Sequence, residues 1–116
     1  MLEKQIVAQI LKYLKGSDKC FAWKEHGGMY GTAGIPDIIC CLDGKFIAFE
    51  VKTPTGQLTE LQEITIAKIK GANGKAYKVT SLQEVKDILQ TLEDKTYGNV
   101  CKRVFVKGLS DRPAYQ

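Results

Sequence analysis

The sequence of 116 residues contains a single histidine and four cysteines, and no two of the cysteines form a CxxC pair. A structural zinc site needs four closely spaced cysteine or histidine ligands, so this chain is poorly equipped to build one. Cys20, Cys40, Cys41 and Cys101 are therefore interpreted as free, buried thiols. Any catalytic metal must be held mainly by oxygen, which points to a hard cation such as Mg²⁺ or Mn²⁺.

Long apolar runs are also missing. No segment approaches the ~20 apolar residues that a membrane-spanning helix needs, and residues 1–5 lack the basic and then apolar pattern of a signal peptide. Hydrophobic residues make up 44% of the chain and charged residues 26%, which is typical of a globular protein with a modest core. We therefore expect a soluble, cytoplasmic protein with no membrane partner.

Excess charge is small and unevenly placed. The net charge is +4 at pH 7, and residues 95–116 carry all of it, with five basic residues and one acidic residue. We predict a main domain over residues 1–94, neutral overall, and a basic C-terminal extension over residues 95–116. The extension is interpreted as an extra strand near residues 100–106, as an arm that contacts a polyanion or a second subunit, or as an unstructured terminus.

Hydrophobic periodicity predicts the order helix, three strands, helix, strand, helix. The helices are expected over residues 3–15, 59–70 and from 81 onward, and the strands over residues 20–24, 36–42, 45–52 and 75–79. Both faces of the central hairpin are apolar, so it needs cover on both sides, as in a layered α/β/α sheet. Phe21 and Trp23 are assigned to the core in preference to a base-stacking surface.

Two acidic residues are predicted to face each other across this hairpin. Asp43-Gly44 between apolar runs is typical of a two-residue turn, and that turn places Asp37 opposite Glu50. Directly opposed residues on antiparallel strands have Cβ atoms ~4.5–5.5 Å apart on one face. Lys52, two residues beyond Glu50, projects from the same face.

Opposed carboxylates on an apolar face destabilise a sheet unless a cation compensates them. Lys52 supplies part of that charge, and a divalent ion bridging both acids supplies more. Two carboxylates, Mg²⁺ and a lysine can promote attack of water on a phosphodiester, because the metal lowers the pKa of water and offsets transition-state charge. Spacing alone equally allows Asp37 as a turn residue and Glu50 with Lys52 as a surface ion pair on an edge strand.

Pro36-Asp37, followed by Glu50-Val51-Lys52, resembles the PD-(D/E)xK signature of the restriction-endonuclease-like nucleases. A longer pattern is similar to the VRR-NUC family, including its small stand-alone phage and bacterial members. That pattern consists of Glu3, Gly31, Gly34, Asp37, the segment 49–52, Leu58-Thr59 and Gln62. The resemblance covers residues 3 to about 92.

The resemblance implies a restriction-endonuclease-like α-β-β-β-α-β core, with a mixed central sheet flanked by helices, and metal-dependent hydrolysis of DNA. It implies Asp37 and Glu50 as metal ligands, the backbone carbonyl of Val51 as a further ligand, and Lys52 as the residue that positions the attacking water. Glu3 matches a glutamate that reaches the metal directly or through water. Alternatively, Glu3 is only an acidic residue at the start of the first helix, where the positive end of the helix dipole favours a negative charge.

Gln62 matches a family glutamine near the scissile phosphate, and it also stands at the third position of a predicted capping box that begins at Thr59. We expect that one side chain does not easily serve both roles.

As a family, stand-alone VRR-NUC proteins are associated with four-way junctions and homodimers, so the resemblance implies a Mg²⁺-dependent endonuclease acting on branched DNA as a homodimer. The alternatives are a flap- or end-processing nuclease and a catalytically silent nucleic-acid-binding module. The glycine-rich segment 27–34 lacks the GK[ST] ending of a phosphate-binding loop, so no nucleotide cofactor is expected. It is interpreted as a strap over DNA, carrying Met29 and Tyr30, or as a solvated connector.

Overall fold

The structure is a computed structural model that describes residues 1–26 and 31–97. Its elements are α1 (Glu3–Lys15), β1 (Cys20–Lys24), β2 (Ile38–Leu42), β3 (Lys45–Val51), α2 (Glu60–Gly71), β4 (Lys75–Val79) and α3 (Leu82–Tyr97). This is the predicted order. Met29, Tyr30 and the strand expected over residues 100–106 lie outside the described residues.

The four strands form one mixed sheet in the order β1-β2-β3-β4. The β1–β2 and β2–β3 pairs are antiparallel, whereas β3 and β4 are parallel and are connected through α2. The mixed sheet with flanking helices confirms the predicted fold class. Strand β3 is therefore an inner strand with a partner on each side.

The turn between β2 and β3 fixes the register of the hairpin. Asp43 and Gly44 have φ angles of 50° and 83°, as a tight hairpin turn with two left-handed residues requires. Ile38 consequently pairs with Phe49. Continuing this register by one residue beyond the ladder places Asp37 opposite Glu50, as the sequence predicts.

Strand β2 begins at Ile38, two residues later than predicted. Pro36 has no N–H to donate to a ladder. Asp37 meets β3 through its side chain, because its Oδ2 accepts a hydrogen bond from the Val51 N–H at 2.8 Å.

Helices pack against both sides of the sheet. On one face α2 contributes Ile66 to a core cluster with Ile39, Ala48 and Ala76. Helix α1 contacts β1, β2 and β3 and buries its own apolar stripe, and the residues of the second face of β2 and β3 are buried as well. Those buried residues are Ile38, Cys40, Ile47, Phe49 and Val51.

Helix α2 leaves part of its face of the sheet exposed. Phe21 is 70% exposed, Trp23 39% and Phe46 47%, and Cys41 is also exposed. The assignment of Phe21 and Trp23 to the core is therefore wrong, and so is full cover of the hairpin. The reason is that the α2 cluster centres on β3 and β4, away from β1. Three of the cysteines are free as predicted, but only Cys40 is fully buried.

Residues 1–85 form one compact unit, and the described residues from 86 to 97 belong to a second unit. Helix α3 begins in the first unit, where Val85 is buried, and it ends at Tyr97, beyond the predicted domain boundary at residue 94. Of the basic extension predicted over residues 95–116, residues 98–116 lie outside the described residues, so the role of the extension stays a prediction. No helix within residues 1–26 or 31–97 is long and apolar enough to cross a membrane.

Candidate active site

Asp37 is fixed between two neighbouring strands. Its backbone carbonyl accepts a hydrogen bond from the Glu25 N–H at 2.8 Å, and its Oδ2 accepts one from the Val51 N–H at 2.8 Å. Glu25, Asp37 and Glu50 therefore occupy one row across β1, β2 and β3. The carboxyl groups of Asp37 and Glu50 lie within hydrogen-bonding reach of each other.

Glu50 is one of the few polar residues buried in the described part of the chain. It is 3% exposed and lies on the inner strand β3. The interpretation of Glu50 and Lys52 as a surface ion pair on an edge strand is therefore wrong. A buried carboxylate is costly unless positive charge or hydrogen-bond donors compensate it, so the surroundings of Glu50 decide its charge state.

Those surroundings favour the uptake of positive charge. Burial raises the pKa of Glu50 to about 8, and the negative charge of Asp37 together with their mutual hydrogen bond acts in the same direction. Lys52 opposes the rise, and Glu3 adds a smaller unfavourable charge. The surroundings of Glu50 thus favour a protonated carboxyl or additional positive charge beside it.

Lys52 provides the nearest side-chain cation. Its Nζ lies 3.9 Å from Glu50 Oε2, and its side chain is only 13% exposed. One ammonium group faces two carboxyl groups here, so Lys52 alone does not neutralise Asp37 and Glu50 when both are ionised. The predicted placement of Lys52 on the face of the two acids is observed.

Gln62 takes part in two contacts at once. Its Oε1 accepts from the Thr59 backbone N–H at 2.9 Å, which closes the capping box, and its Nε2 donates to Glu50 Oε2 at 3.2 Å. The capping contact therefore does not keep Gln62 away from Glu50, and its expected role near the scissile phosphate stays a prediction. The carboxamide has an acceptor at one end and donors at the other, so a single rotamer links the start of α2 to Glu50.

Glu3 and Val51 occupy the periphery of the site. Glu3 is the first residue of α1 and is exposed, and it is close enough to act electrostatically on Glu50. Val51 donates its N–H to Asp37, which orients the peptide group that follows Glu50. Their roles as metal ligands stay predictions.

The donor set fits a hard divalent cation. No group of three or more histidine, cysteine, aspartate or glutamate side chains gathers for a metal within the part of the chain that the structure describes. Mg²⁺, however, is usually bound through one or two carboxylates and keeps several waters. Asp37 and Glu50 supply two such groups, and the raised pKa of Glu50 marks a deficit of positive charge between them.

Sequence reasoning missed Glu25 and the placement of Trp23 beside the site. Glu25 Oε1 accepts a hydrogen bond from Trp23 Nε1 at 3.1 Å, while the Glu25 N–H bonds to Asp37. The hairpin turn at residues 43–44 fixes the pairing of β2 with β3. No comparable turn fixes the pairing of β1 with β2, because the connection between them is long and rich in glycine. The sequence therefore does not predict that Trp23 and Glu25 lie beside Asp37.

Gly34 allows the segment before Asp37 to lie against α2. Its φ is 82°, and a Cβ atom there would lie 2.7 Å from Thr65 Oγ1 and 2.8 Å from Leu61 Cγ. Gly44 has a similar φ of 83° but nothing within 4 Å. We expect Gly34→Ala to destabilise the protein by ~3 kcal/mol or more, through backbone strain and overpacking, and Gly44→Ala by only ~1–2 kcal/mol.

Urea unfolding of both variants measures this difference, since each substitution has the same backbone strain and only one has the steric clash. Equal losses of stability in the two variants would contradict the close packing of Gly34 on α2.

Comparisons with known proteins bear on this arrangement. No family model matches the sequence, and no curated protein is similar to it. Among solved structures, a VRR_NUC domain protein aligns at 17% sequence identity with a TM-score of 0.61, over 78% of this chain and 86% of its own. A second structure, a VRR_NUC domain, aligns at 17% identity with a TM-score of 0.63, over 78% of this chain and 97% of its own. The chain has the VRR_NUC fold.

The VRR_NUC fold confirms the architecture that the sequence resemblance implies. The coverage extends over nearly the whole of both solved domains, so the similarity concerns the complete fold and not a shared fragment. Folds host many activities, and function therefore has to be argued from the residues of the site.

Proposed function

We propose that this chain belongs to the VRR-NUC family and is a divalent-metal-dependent nuclease that hydrolyses phosphodiester bonds in DNA. The observation that carries the proposal is the buried carboxyl of Glu50, held beside Asp37 and 3.9 Å from the ammonium of Lys52. A purely structural role for this trio is difficult to explain, because two apposed acids in a buried site weaken the fold.

Each residue has a distinct part in the proposed reaction. Asp37 and Glu50 would hold Mg²⁺ or Mn²⁺, with the Val51 carbonyl and Glu3, directly or through water, as further ligands. The ion supplies Lewis acidity, which makes water a better nucleophile and offsets charge on the phosphate in the transition state. The protein fixes the two carboxylates in advance, since Asp37 is bonded to the β3 backbone and Glu50 to Gln62.

Lys52 and Gln62 both approach Oε2 of Glu50, and each has its own part in the proposal. With Glu50 engaged by a cation, the Lys52 ammonium is available to orient the attacking water or to stabilise negative charge on the phosphate. Gln62 keeps Glu50 in place. The side-chain rotamer of Gln62 is itself fixed by the capping box in the first turn of α2.

We extend the proposal to branched DNA, with four-way junctions as the substrate and a homodimer as the active form. The sequence resemblance to small stand-alone VRR-NUC proteins supports this extension. A two-fold symmetric dimer would present two equivalent sites to two strands of a junction.

Cleavage of a panel of labelled DNAs tests the proposal: a four-way junction, a flap, a duplex and a single strand, each with Mg²⁺, Mn²⁺ or EDTA. We expect cleavage with either metal, most rapid on the junction, and none in EDTA. Faster cleavage of the flap or of strand ends than of the junction would indicate a flap- or end-processing nuclease in place of a junction resolvase. Binding without cleavage of any substrate would contradict the nuclease and favour a silent binding module.

Gln62→Ala is expected to lower cleavage by about 10- to 100-fold, because a hydrogen bond to a charged group contributes roughly 1.5–3 kcal/mol. Thr59→Ala is the matched control, since it removes the side-chain cap of α2 but leaves the Gln62–Glu50 hydrogen bond intact. Each variant should lose ~1 kcal/mol of stability, and only Gln62→Ala should lose activity. Cleavage rates are measured at a temperature where both variants are folded. An equal fall of the rate in Gln62→Ala and Thr59→Ala would contradict the positioning role of Gln62.

A further inference from the structure

The face of the sheet that carries Asp37 and Glu50 also carries an exposed aromatic surface. Phe21 and Trp23 lie on this face of β1, and their register neighbours continue it across β2 and β3. We call this surface the aromatic patch, and it consists of Phe21, Trp23, Cys41 and Phe46. Three of its members are the aromatic side chains that are 70%, 39% and 47% exposed.

The aromatic patch is continuous with the candidate active site. Trp23 pairs with Ile39, which follows Asp37 by two residues, so the two rows are ~7 Å apart along the strand. Glu25 joins them directly, because its backbone N–H bonds to the Asp37 carbonyl and its carboxylate accepts from the Trp23 indole. A polymer chain that binds at Asp37 is therefore within reach of the patch.

The rings are held in a way that suits stacking. The hydrogen bond of Trp23 Nε1 to Glu25 Oε1, at 3.1 Å, fixes the orientation of the indole. The centroids of Phe21 and Trp23 are 5.5 Å apart with an interplanar angle of 45°, so the two rings are tilted and do not stack face to face. A fixed, exposed aromatic ring offers its π-face to a planar ligand at little entropic cost.

Two exposed lysines flank β1, since Lys19 precedes the strand and Lys24 ends it. Strand β1 is the edge of the sheet that the described residues form, so a phosphate backbone running along this edge can approach both lysines. Aromatic side chains combined with cations along an open groove are the usual means of binding single-stranded nucleic acid.

We propose that the aromatic patch stacks unpaired bases of the nucleic-acid strand whose phosphate lies at Asp37 and Glu50. This inference rests on the proposed function, and it adds that nucleotides beside the scissile bond are unpaired in the bound complex, as at a flap or at a junction whose central base pairs have opened. A second copy of this chain is the competing occupant. Nucleic acid is favoured because the patch leads directly into the row of Glu25, Asp37 and Glu50, which a subunit interface there would shield from substrate.

The single tryptophan of the chain makes the patch directly observable, because all tryptophan fluorescence reports on Trp23. The full chain is titrated in EDTA with an oligo-dT strand and with a blunt hairpin duplex of equal length. We expect the single strand to quench the fluorescence and to bind at least several-fold more tightly than the duplex. Equal quenching by both ligands, or none by either, would overturn the proposal.

Variants separate the patch from general charge effects. Phe21→Ala and Trp23→Leu are each expected to weaken binding of a labelled oligo-dT strand by about tenfold in fluorescence anisotropy. Tyr13→Ala is the matched control, since Tyr13 is an exposed aromatic residue of α1, on the other side of the sheet. Thermal unfolding confirms that each variant is folded. Affinities equal to that of wild type in both patch variants would overturn the proposal.

The same variants distinguish the competing explanations. Sedimentation velocity that shows a dimer dissociating in Phe21→Ala, with unchanged affinity for oligo-dT, would assign the patch to a subunit interface and overturn the inference. Quenching and patch-dependent binding without cleavage of any DNA would refute the nuclease and leave the patch supported. Metal-dependent cleavage that is insensitive to both patch variants would refute the patch and leave the nuclease supported.

Discussion

Glu50→Gln and Asp37→Asn are each expected to lower metal-dependent cleavage by about 1000-fold or more. Both substitutions preserve the size of the side chain and an oxygen that can accept the local hydrogen bonds from Gln62 or Val51. Each removes one of the two negative charges that would hold the cation in the proposed site. Since metal and electrostatic stabilisation supply several kcal/mol to such transition states, the loss of either charge removes most of the rate.

The measurement is kcat/KM at fixed Mg²⁺ on the best substrate of the panel. Asp43→Asn is the matched control, because it also neutralises an acid of the hairpin, but at the turn, where Asn-Gly is equally favourable. Its activity should stay within about twofold of wild type. Retention of more than a tenth of wild-type activity by Glu50→Gln would contradict the assignment of Glu50.

Removing the charge of Glu50 is expected to stabilise the metal-free protein at pH 8. The pKa of Glu50 is about 8 in the folded state, against 4.5 for an exposed glutamate. Between these values the folded state retains a proton that the unfolded state has lost, so the free energy of unfolding falls as pH rises from about 4.5 to about 8. Glu50→Gln has no such dependence, and its melting temperature at pH 8 in EDTA should exceed that of wild type by about 5 °C or more.

Differential scanning calorimetry at pH 5 and pH 8 checks this prediction. The stabilisation by Glu50→Gln should be present at pH 8 and small at pH 5, since the wild-type carboxyl is already protonated at pH 5. Added Mg²⁺ should raise the melting temperature of wild type at pH 8 and leave Glu50→Gln nearly unchanged, because a ligand stabilises the state that binds it. If Glu50→Gln is less stable than wild type at pH 8 in EDTA, the ionised Glu50 carboxylate does not destabilise the metal-free fold, which would contradict the prediction.

These two predictions pull in opposite directions, which is typical of a functional site. The same carboxyl weakens the metal-free fold and is required for the proposed reaction, so optimising stability at this position would remove activity. A purely structural ion pair would behave differently, because losing Glu50 would then leave Lys52 without its partner and lower stability at every pH.

The sequence was most informative where local geometry is determined by a few residues. Asp43-Gly44 fixed the hairpin register, and that register placed Asp37 opposite Glu50 without any tertiary information. The position of Lys52 followed from the two-residue period of a strand. Helix and strand order followed from periodicity because most elements here are bounded by glycine or by a capping residue.

The errors arose where the answer depends on which elements pack together. The apolar pattern of β1 and of the hairpin predicts burial, but it does not specify how much of one sheet face α2 covers. Phe21 and Trp23 were therefore assigned to the core, although they are exposed. Sequence spacing places Gln62 in a capping box, but it does not show that the other end of the same carboxamide reaches Glu50.

The net charge of the chain does not lie at the candidate active site. The net charge of +4 comes entirely from residues 95–116, and residues 1–94 are neutral overall. Affinity for a polyanion in the described domain therefore depends on local arrangement, with acids at the site and lysines along β1. A bound divalent cation would reverse the sign of the potential between Asp37 and Glu50, where a phosphate has to approach.

A crystal of the protein grown with Mn²⁺ and measured for anomalous scattering tests the central claim most directly. We expect an anomalous peak between Asp37 and Glu50, within about 2.0–2.5 Å of an oxygen of each, and no peak there in crystals of Glu50→Gln. A well-ordered site at saturating Mn²⁺ without such a peak, or with Mn²⁺ bound only elsewhere, would contradict the metal-dependent mechanism proposed for this chain.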